Sequence, residues 1–586
     1  MRISARPSGT PVATLVLALA TALAPIQAVA QQGVTRYVRF SDDSGTHSGI
    51  LEGQTIRVLD ADPIFEDASP TGRTVSLSAV TLEIPTDPER VPRVFGVALN
   101  ANSPNTDPVE VEHPILFGKA PTALQRNGGP VEVPFGATNF NFEGEMVMIL
   151  GRGGRYIPES QAMDHVFGVA VGNDFSENDW CIERREIEEP TMVFCKAGDT
   201  FAPLGDQVVS GLDLSDLELT VRLNGELAAR GSTAQFRNGP AAIIAKLSHN
   251  VTLKRGDIIY AGNLTAPVLP GIRRQLWQDD VLEVEIENIG TVTNRLVPAT
   301  RQTISGPALP EATGVTTYVR IRHGGGYSFG ILEDDEVHEL DGDPVEGGAI
   351  RTGRTFDVED VELGLPVDLD KPGRKVLGIA ANYHPRNGPP RQVPHPRYFF
   401  KLDTSLSPDG GEVELPPEAE TMIPEGELVL VIGREGRHIP TNEALDYVFG
   451  VAAGNDWTEF SWYSPRGVVA PQKYLSKAND TWAGLGTAIV RGLDFSDLEI
   501  NVQVNGEQLV QGRTSTMINN PARLISYVSR YMTLKPGDLI YTGAMAPNPG
   551  VRRNMRVGDV VEVSVEGVGS LRQTVTGMRP WPYGDR

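Results

Sequence analysis

The amino-acid sequence predicts a mainly β (α+β) protein that contains the same domain twice. Short apolar runs bounded by Gly, Asp and Pro, such as residues 37–40 and 49–51, are typical of strands joined by turns. Similar runs recur in the same order at 318–321 and 330–332, in the second half of the chain. A period of nearly half the chain is far too long for a solenoid of small repeats, so the sequence indicates a duplicated domain.

Each copy is predicted to have the same order of parts. A small N-terminal β subdomain precedes a larger domain, and a segment rich in Pro, Gly, Ser and Thr separates the two copies. The predicted ranges are 31–90 and 91–298 for the first copy, 299–316 for the linker, and 317–372 and 373–586 for the second copy. Helices are predicted at 162–167 and 241–250, and again at 444–449 and 521–531.

The first thirty residues have the features of a signal peptide. Two arginines precede an apolar run at 12–24, and Ala-Val-Ala at 28–30 is a small-x-small cleavage pattern. The alternative is a membrane anchor, but the apolar run is too short to cross a bilayer comfortably. We therefore expect residues 1–30 to be removed and the mature protein to be exported, to a bacterial periplasm.

The chain is strongly acidic, with a formal net charge of −23 at pH 7. Negative charge disfavours binding to nucleic acid and to anionic membrane surfaces, and the sequence contains no basic cluster that would offset it. We therefore expect no nucleic-acid partner, and no membrane partner after removal of the signal peptide.

The chain has two cysteines, and both lie in the first copy, at Cys181 and Cys195. In an oxidising compartment they could form a disulfide that holds the intervening loop. Two unpaired, partly buried thiols are the alternative, and the sequence leaves both open.

Three acidic residues recur in the two copies at constant spacing, each set followed by a lysine. Two of the acids lie two residues apart at the start of an apolar strand, so they leave the same face together. Such carboxylates repel each other unless a cation lies between them, and an oxygen-only site suits Mg²⁺, Mn²⁺ or Ca²⁺. A solvated strand edge would explain one pair but not the recurrence. The candidate metal ligands, one ion per copy, are Glu143, Glu145 and Asp174, then Glu425, Glu427 and Asp456, and the lysines are Lys196 and Lys477.

These motifs, taken in order, resemble the fumarylacetoacetate hydrolase family. The second copy carries the resemblance through Asn382 and Tyr383, the 399–401 stretch, the acids, Lys477, and the segments 505–507, 535–538 and 541–543. The first copy matches through its own acids and through residues 196–205. The resemblance covers nearly the whole mature chain, once in each copy. It implies that each copy is a mixed β-roll holding one divalent cation.

The resemblance also implies roles for individual residues. The substrates would be 2-oxo or 1,3-diketo carboxylic acids, so the partner would be a small-molecule carboxylate. Lys196 and Lys477 would supply charge or a proton at a metal-stabilised enolate. Asn382, Tyr383, Thr542 and Gly543 would contact the substrate.

The chain departs from the family pattern at the residues that activate water. Family members often carry a His four residues and a Glu seven residues after the Asn of the Asn-Tyr motif. Those positions hold Pro104 and Asp107 in the first copy, and Arg386 and Pro389 in the second. His384 is a candidate substitute for the missing histidine, and an ordinary exposed loop histidine is the alternative.

The sequence therefore predicts a metal-dependent enzyme, favouring a lyase, isomerase or hydratase over a C–C hydrolase. A non-catalytic exported protein that captures a carboxylated ligand is the alternative, and so is one active copy beside a scaffolding copy. We expect the two copies to form an internal pseudo-dimer, with higher homo-oligomers left open. We also expect the second copy to be the more active one.

Overall fold

The protein was analysed as a computed structural model. The described residues are 33–101, 114–181, 193–268, 275–369, 371–386, 388–463, 474–548 and 554–578. The expected signal peptide at 1–30 lies outside them, as do Pro104 and Asp107. In the described part of the chain, no helix is both long and apolar enough to cross a membrane.

Each copy is organised around one large, mostly antiparallel sheet. In spatial order, the first sheet contains Pro70–Ser76, Thr55–Leu59, Gly45–Glu52, Thr35–Asp42, Gln207–Ser210, Val166–Asn173, Gly144–Leu150, Ile258–Tyr260, Val94–Ala98 and Ile115–Lys119, with Thr81–Leu82 paired to Thr35–Asp42. The second contains Arg351–Asp357, Glu336–Leu340, Gly326–Glu333, Thr316–His323, Ala488–Arg491, Val448–Asp456, Gly426–Ile432, Leu539–Tyr541, Val376–Ala380 and Arg397–Lys401, with Glu362–Leu363, Leu406–Ser407 and Ala483–Leu485 beside this path. The identical strand order confirms the predicted duplication and mainly β class.

A second sheet packs on the large sheet in each copy. In the first copy its strands are Ala266–Pro267, Glu226–Ser232, Glu218–Leu223, Val281–Ile286, Gly290–Pro298 and Pro130–Val133. In the second copy they are Glu412–Leu415, Gly569–Gly577, Val560–Val565, Glu499–Val504 and Glu507–Arg513. Two-stranded pairs complete the described sheets: Phe140–Asn141 with Ser176–Glu177, Leu124–Gln125 with Ala202–Pro203, Met422–Ile423 with Thr458–Glu459, and Ile304–Ser305 with Gly436–Arg437.

Helices are few and short in the described residues. The α-helices are Glu159–Ala162, Val193–Lys196, Pro240–Asn250, Phe460–Tyr463 and Pro521–Val528. The 3-10 helices are Leu77–Ala79, Pro121–Ala123, Met163–His165, Thr233–Gln235, Pro344–Glu346, Val358–Asp360, Asp403–Ser405, Ala444–Tyr447 and Thr514–Thr516. The helix expected at 162–167 ends at His165 because Val166 already pairs with Leu150 in the sheet. The α-helix expected at 521–531 ends at Val528.

The strands that carry the acids lie inside the large sheets. Gly144–Leu150 and Gly426–Ile432 are buried at every position, because apolar side chains cover both faces of each strand. Each is paired on both sides, so its position is fixed by two ladders of hydrogen bonds. The four N-terminal strands continue this sheet, since Thr35–Asp42 pairs with Gln207–Ser210.

The two copies contact each other closely. Phe194 of the first copy packs against Tyr398 and Tyr531 of the second, with ring centroids 5.3 and 4.6 Å apart. Two ion pairs cross in opposite directions. Arg155 and Glu414 approach within 3.1 Å, and Arg437 and Glu132 within 2.5 Å. The two arginines occupy equivalent positions in the two copies, so these contacts are related by the internal repeat.

The linker is partly ordered against the second copy. Ile304–Ser305 forms a short antiparallel pair with Gly436–Arg437. Ser305 also lies 2.6 Å from the Tyr447 hydroxyl, and the Thr303 hydroxyl donates to the carbonyl of His438 at 3.0 Å. These contacts hold residues 303–305 of the linker against the second copy.

Candidate active site

Strand pairing brings the acid-bearing segments of each copy side by side. The strand containing Glu145 runs antiparallel to the strand that ends at Asn173. This register places Asp174 beside Glu143, and the Asp174 N–H donates to the Glu143 carbonyl at 2.9 Å. The corresponding distance in the second copy is 2.8 Å. In the first copy, one carboxylate oxygen from each acid lies within 4.8 Å of the others.

The second acid of each pair is the most deeply buried one. Glu145 accepts a hydrogen bond from the Gly262 N–H at 2.7 Å, and its other oxygen, Oε1, has no hydrogen-bond partner among the described residues. Burial, reinforced by the carboxylates of Asp174 and Glu143, raises the pKa of Glu145 well above its usual range. Glu427 has the same pKa shift for the same reasons. Such an arrangement of acids is relieved by a bound cation.

A glycine is required opposite each of these buried acids. Gly262 and Gly543 donate their N–H groups to Glu145 and Glu427, and both have a positive φ, 105° and 101°. A Cβ at either position would lie 2.6 Å from the Cβ of a neighbouring asparagine. The predicted site residue Gly543 therefore acts through its backbone.

The predicted lysines lie between the acids. Lys196 Nζ is 2.7 Å from both Glu143 Oε2 and Asp174 Oδ2. Lys477 Nζ is 2.8 Å from Glu425 Oε2 and 2.5 Å from Asp456 Oδ2. Burial alone would lower the pKa of each lysine, but the acids outweigh it and raise the pKa above its ordinary value. Both lysines are therefore held in the charged form.

A second lysine enters each site, and sequence reasoning missed it. Lys119 Nζ pairs with Asp174, and Lys401 Nζ lies 2.6 Å from Asp456 Oδ1. Lys401 also donates to the carbonyl of Lys477 at 2.7 Å, so it fixes the segment that carries that lysine. Burial lowers the pKa of Lys401 to about 8. The signal that could have found these lysines is their recurrence at the end of equivalent strands in the two copies.

The predicted substrate residues differ in what their side chains do. The Asn382 amide donates to Asn519 O at 3.0 Å and to Thr542 O at 2.7 Å, and the Thr542 hydroxyl donates to Leu428 O at 2.8 Å. These two side chains therefore hold the loops around the site together. The Tyr383 hydroxyl is buried without a hydrogen-bond partner among the described residues. Direct contact of any of them with substrate stays a prediction.

His384 lies on the exposed loop beyond Tyr383. Its Nδ1 accepts a hydrogen bond from the Arg391 N–H at 3.1 Å. It does not line the cavity described below. Its proposed role as a substitute for the missing histidine has no support from this position, and it stays a prediction.

A cavity of about 460 Å³ opens beside Glu425 and Lys477 of the second copy. Glu425 and Lys477 form part of its floor, and Tyr383, Arg397 and Met545 form part of its wall. The Arg397 Nε is buried without a hydrogen-bond partner among the described residues. The cavity is large enough for a small carboxylate and combines charged groups with apolar walls.

The first copy differs by a disulfide next to its lysine. Cys181 and Cys195 are bonded, with Cα atoms 5.2 Å apart, and Cys195 directly precedes Lys196. The structure thus has the disulfide rather than the two free thiols that the sequence also allowed. The bond closes a segment between Asp174 and Lys196, and the second copy has no cysteines with which to form an equivalent crosslink.

Comparison with known proteins decides the family. The profile of "Fumarylacetoacetate (FAA) hydrolase C-terminal" matches residues 93–297 and 375–576. The chain belongs to the fumarylacetoacetate hydrolase family. A second profile, "Rv2993c-like, N-terminal", matches residues 35–85 and 317–366. The predicted family and its tandem duplication are confirmed.

Relatives of this fumarylacetoacetate hydrolase family member include named enzymes. The chain is 25% identical over 492 residues to the homoprotocatechuate catabolism bifunctional isomerase/decarboxylase of Escherichia coli, covering 82% of this chain and 96% of that one. It is 34% identical over 275 residues to the 2,4-didehydro-3-deoxy-L-rhamnonate hydrolase of Sphingomonas sp. (strain SKA58), covering 43% and 92%. The expectation of an enzyme of this family, with its reaction unspecified, is confirmed.

Solved structures similar to this chain include one named 2-hydroxyhepta-2,4-diene-1,7-dioate isomerase, from Mycobacterium marinum. It is 28% identical, with a TM-score of 0.39, and the match covers 45% of this chain and 98% of that chain. The matched length corresponds to about one of the two copies.

Proposed function

We propose that this family member is a divalent-metal-dependent enzyme acting on a 2-oxo or 1,3-diketo carboxylic acid. One observation carries the proposal: acids joined by a buried lysine occur in both copies, and in the second copy Glu425 and Lys477 line a cavity. The relatives named as isomerases, decarboxylases and hydrolases support the same class of chemistry.

The residues present fit a hard cation. All donors are carboxylate oxygens, which is the ligand type that Mg²⁺, Mn²⁺ and Ca²⁺ prefer. Glu145 Oε1 is a buried oxygen without a hydrogen-bond partner among the described residues, so it is available as a ligand. Glu143, Glu145 and Asp174 would hold one ion, and their second-copy equivalents would hold another. When bound, the ion would polarise the 2-oxo group of the substrate.

The lysines and Tyr383 supply positive charge and a hydrogen-bond donor, which the acids cannot. The charged ammonium of Lys477 is placed to offset negative charge on a substrate oxygen. This charge develops when the adjacent carbon loses a proton or when one of its C–C bonds breaks. The Tyr383 hydroxyl can donate to the substrate from the cavity wall. Apolar residues such as Met545 limit the access of water to the same cavity.

We further propose a lyase, isomerase or hydratase reaction rather than C–C hydrolysis. Arg386 and Pro389 occupy the positions of the water-activating pair in the second copy, and neither is a general base near neutral pH. Arg386 donates to the carbonyl of Ala546 at 3.0 Å, so its side chain holds the loop at the cavity instead. Hydrolysis would need another group to activate water.

Metal binding tests the site apart from any activity. Glu145→Gln and Glu427→Gln each keep the shape of the side chain but remove a ligand charge. We expect equilibrium dialysis against Mn²⁺, followed by elemental analysis, to find two ions in the wild-type chain, one in each single variant and none in the double variant. Mn²⁺ should also raise the melting temperature of the wild type more than that of the double variant.

The exposed Glu226 provides the matched control, since Glu226→Gln should leave two ions bound. Unchanged stoichiometry in the double variant would show that the metal site lies elsewhere. Turnover is tested separately, by loss of enol absorbance from 2-oxo and 1,3-diketo acids with Mg²⁺. A chain that binds both metal and these acids without turnover would instead be the exported carboxylate-binding protein.

A further inference from the structure

A second cavity, of about 470 Å³, lies where the two copies and the linker meet. The first copy contributes the segment after Pro130–Val133 and the loop after Val193–Lys196. The second copy contributes residues 437–441 and one side of Pro521–Val528 with the residues that follow it. We call it the inter-copy cavity. It shares no residue with the cavity beside Glu425 and Lys477.

The walls of the inter-copy cavity combine aromatic rings with arginines. Phe135 is 73% exposed, and the Arg301 guanidinium lies 3.6 Å from the centroid of its ring. Phe201 and Tyr531 form other parts of the wall, and Arg530 lies at the end of the helical segment. Such surfaces suit a flat apolar body that carries negative charge.

Among the described residues that line the cavity, cationic side chains outnumber acidic ones, with three arginines against two acids. Its two acids both pair with Arg437, Glu132 at 2.5 Å and Asp199 at 3.4 Å. Arg301 and Arg530 have no carboxylate within 4.0 Å among the described residues. Two arginines therefore remain for a ligand.

A buried imidazole nitrogen adds a directional polar group. His438 Nε2 is shielded from solvent and has no hydrogen-bond partner among the described residues. The backbone of this residue is held on both sides, because the His438 N–H donates to Ser529 O at 2.8 Å and its carbonyl accepts from Thr303. A carboxylate oxygen would satisfy a proton on this nitrogen.

The pseudo-symmetric position on the other side of the molecule is built differently. The internal repeat places Pro417 where Phe135 lies, Glu159 where Thr441 lies, and His249 where Arg530 lies. That side thus loses an exposed aromatic ring and an arginine, and gains an acid. The ion pairs common to both sides explain contact between the copies, but they do not explain these three differences.

We propose that the inter-copy cavity binds one small aromatic carboxylate per chain. The aromatic body packs against Phe135 and the neighbouring rings, and the carboxylate is held by Arg301 and Arg530. The volume falls within the range of small-molecule sites. Gly198, which lines the cavity, lies two residues beyond Lys196. The ligand therefore contacts the segment that carries the first copy's lysine.

The test uses phenylacetate and the full chain without metal, with binding measured by isothermal titration calorimetry. We expect one saturable site, about tenfold weaker binding in the Arg301→Gln/Arg530→Gln double variant, and a similar loss for the neutral analogue phenylacetamide. Arg322→Gln, an exposed arginine in the N-terminal strands of the second copy, is the matched control and should bind normally. Both replaced arginines are exposed, so melting curves should show intact folding.

Three results would overturn the proposal. The first is no saturable binding of phenylacetate at millimolar concentration. The second is equal affinity for phenylacetamide, which would mean that the charge is not recognised. The third is binding that survives the double arginine variant but is lost in Lys196→Ala/Lys477→Ala, which would place phenylacetate in the acid sites.

Discussion

The buried lysines Lys196 and Lys477 each contact two of the candidate metal-binding acids in their copy. Each ammonium lies within 2.8 Å of two carboxylates, and it remains charged because those carboxylates outweigh the effect of burial on its pKa. In the proposed reaction, such an arrangement would keep positive charge fixed where charge develops on the substrate. Removing Lys477 would leave Glu425 without this ion pair, whereas Asp456 would keep its contact with Lys401.

The first prediction concerns which copy turns over substrate. We expect Lys477→Ala to lower kcat by about a hundredfold or more on whichever oxo acid is turned over, and Lys196→Ala to have a smaller effect. The second copy has Tyr383 on its cavity wall, where the first has Ala101. Thr542, where the first copy has Ala261, is a weaker reason for this preference. Its hydroxyl already donates to the carbonyl of Leu428.

The partly exposed Lys371, which pairs with Glu346 away from both sites, is the control, and Lys371→Ala should retain full activity. A larger loss from Lys196→Ala would reverse the assignment of the active copy. Equal partial losses would mean that both copies work.

At the scale of elements, the disulfide constrains the segment leading to the first copy's lysine. It joins residues 14 apart in sequence, so it restricts the conformations of the unfolded chain over a short loop. We expect the Cys181→Ser/Cys195→Ser variant to lose about 3 kcal/mol of stability in the first copy. The measurement is denaturant unfolding of the oxidised wild type against the variant.

A reducing agent provides the control for this prediction. It should lower the stability of the wild type to that of the double variant and leave the variant itself unchanged. Identical unfolding curves for the oxidised and reduced wild type would show that the crosslink does not stabilise this element.

The 3-10 helix Asp403–Ser405 makes an ionic contact with the other copy. Asp403 of the second copy lies 2.6 Å from Lys254 and 3.5 Å from Arg93 of the first. Burial would raise the pKa of Asp403, but Arg93 and Lys254 outweigh it and lower the pKa below its ordinary 3.8. A carboxyl whose pKa is lowered by folding stabilises the fold above its unfolded pKa, and this contribution is lost as pH falls.

We therefore expect the stability of the wild type to fall as pH drops below about 4, by more than that of Asp403→Asn. The variant should be less stable at pH 7, because two cations at this contact lose a charged partner. Melting temperatures measured from pH 7 to pH 3 test this. Parallel curves for wild type and variant would show that Asp403 is not responsible for the acid sensitivity.

At the scale of the whole molecule, the contacts between copies support the proposed internal pseudo-dimer. One cluster of buried apolar residues contains side chains of both copies, including Met148 and Leu428. The ion pairs of Arg155 and Arg437 cross in opposite directions, as in a two-fold dimer. Each copy thus leaves an apolar surface exposed when it is alone.

We expect separately expressed halves, residues 31–298 and 317–586, to associate one to one or to aggregate when alone. Analytical ultracentrifugation of each half and of the mixture measures this. Arg155→Ala in the first half should weaken the association, because Glu414 and Asp480 lose their partner. Two halves that remain folded monomers at high concentration would contradict the pseudo-dimer.

Much of the site could be predicted because it lies close together in sequence and occurs twice. Glu143 and Glu145 are neighbours on one strand, and their recurrence at the same spacing in the second copy distinguishes them from incidental acids. Lys119 and Lys401 could not be assigned to the sites from the sequence, because their contacts with the acids depend on pairing between distant strands. Each reaches its aspartate only once the large sheet has formed.

The sequence by itself determined the duplication, the mainly β class, the family and the acid clusters, because these follow from local patterns and from comparison of the chain with itself. The tertiary structure decided the disulfide, the backbone contacts of Asn382 and Thr542, and the exposure of His384. It also decided the inter-copy cavity, whose walls come from distant segments of both copies and from the linker. Packing of distant segments is set by the shape and burial of whole sheets, which no local pattern specifies.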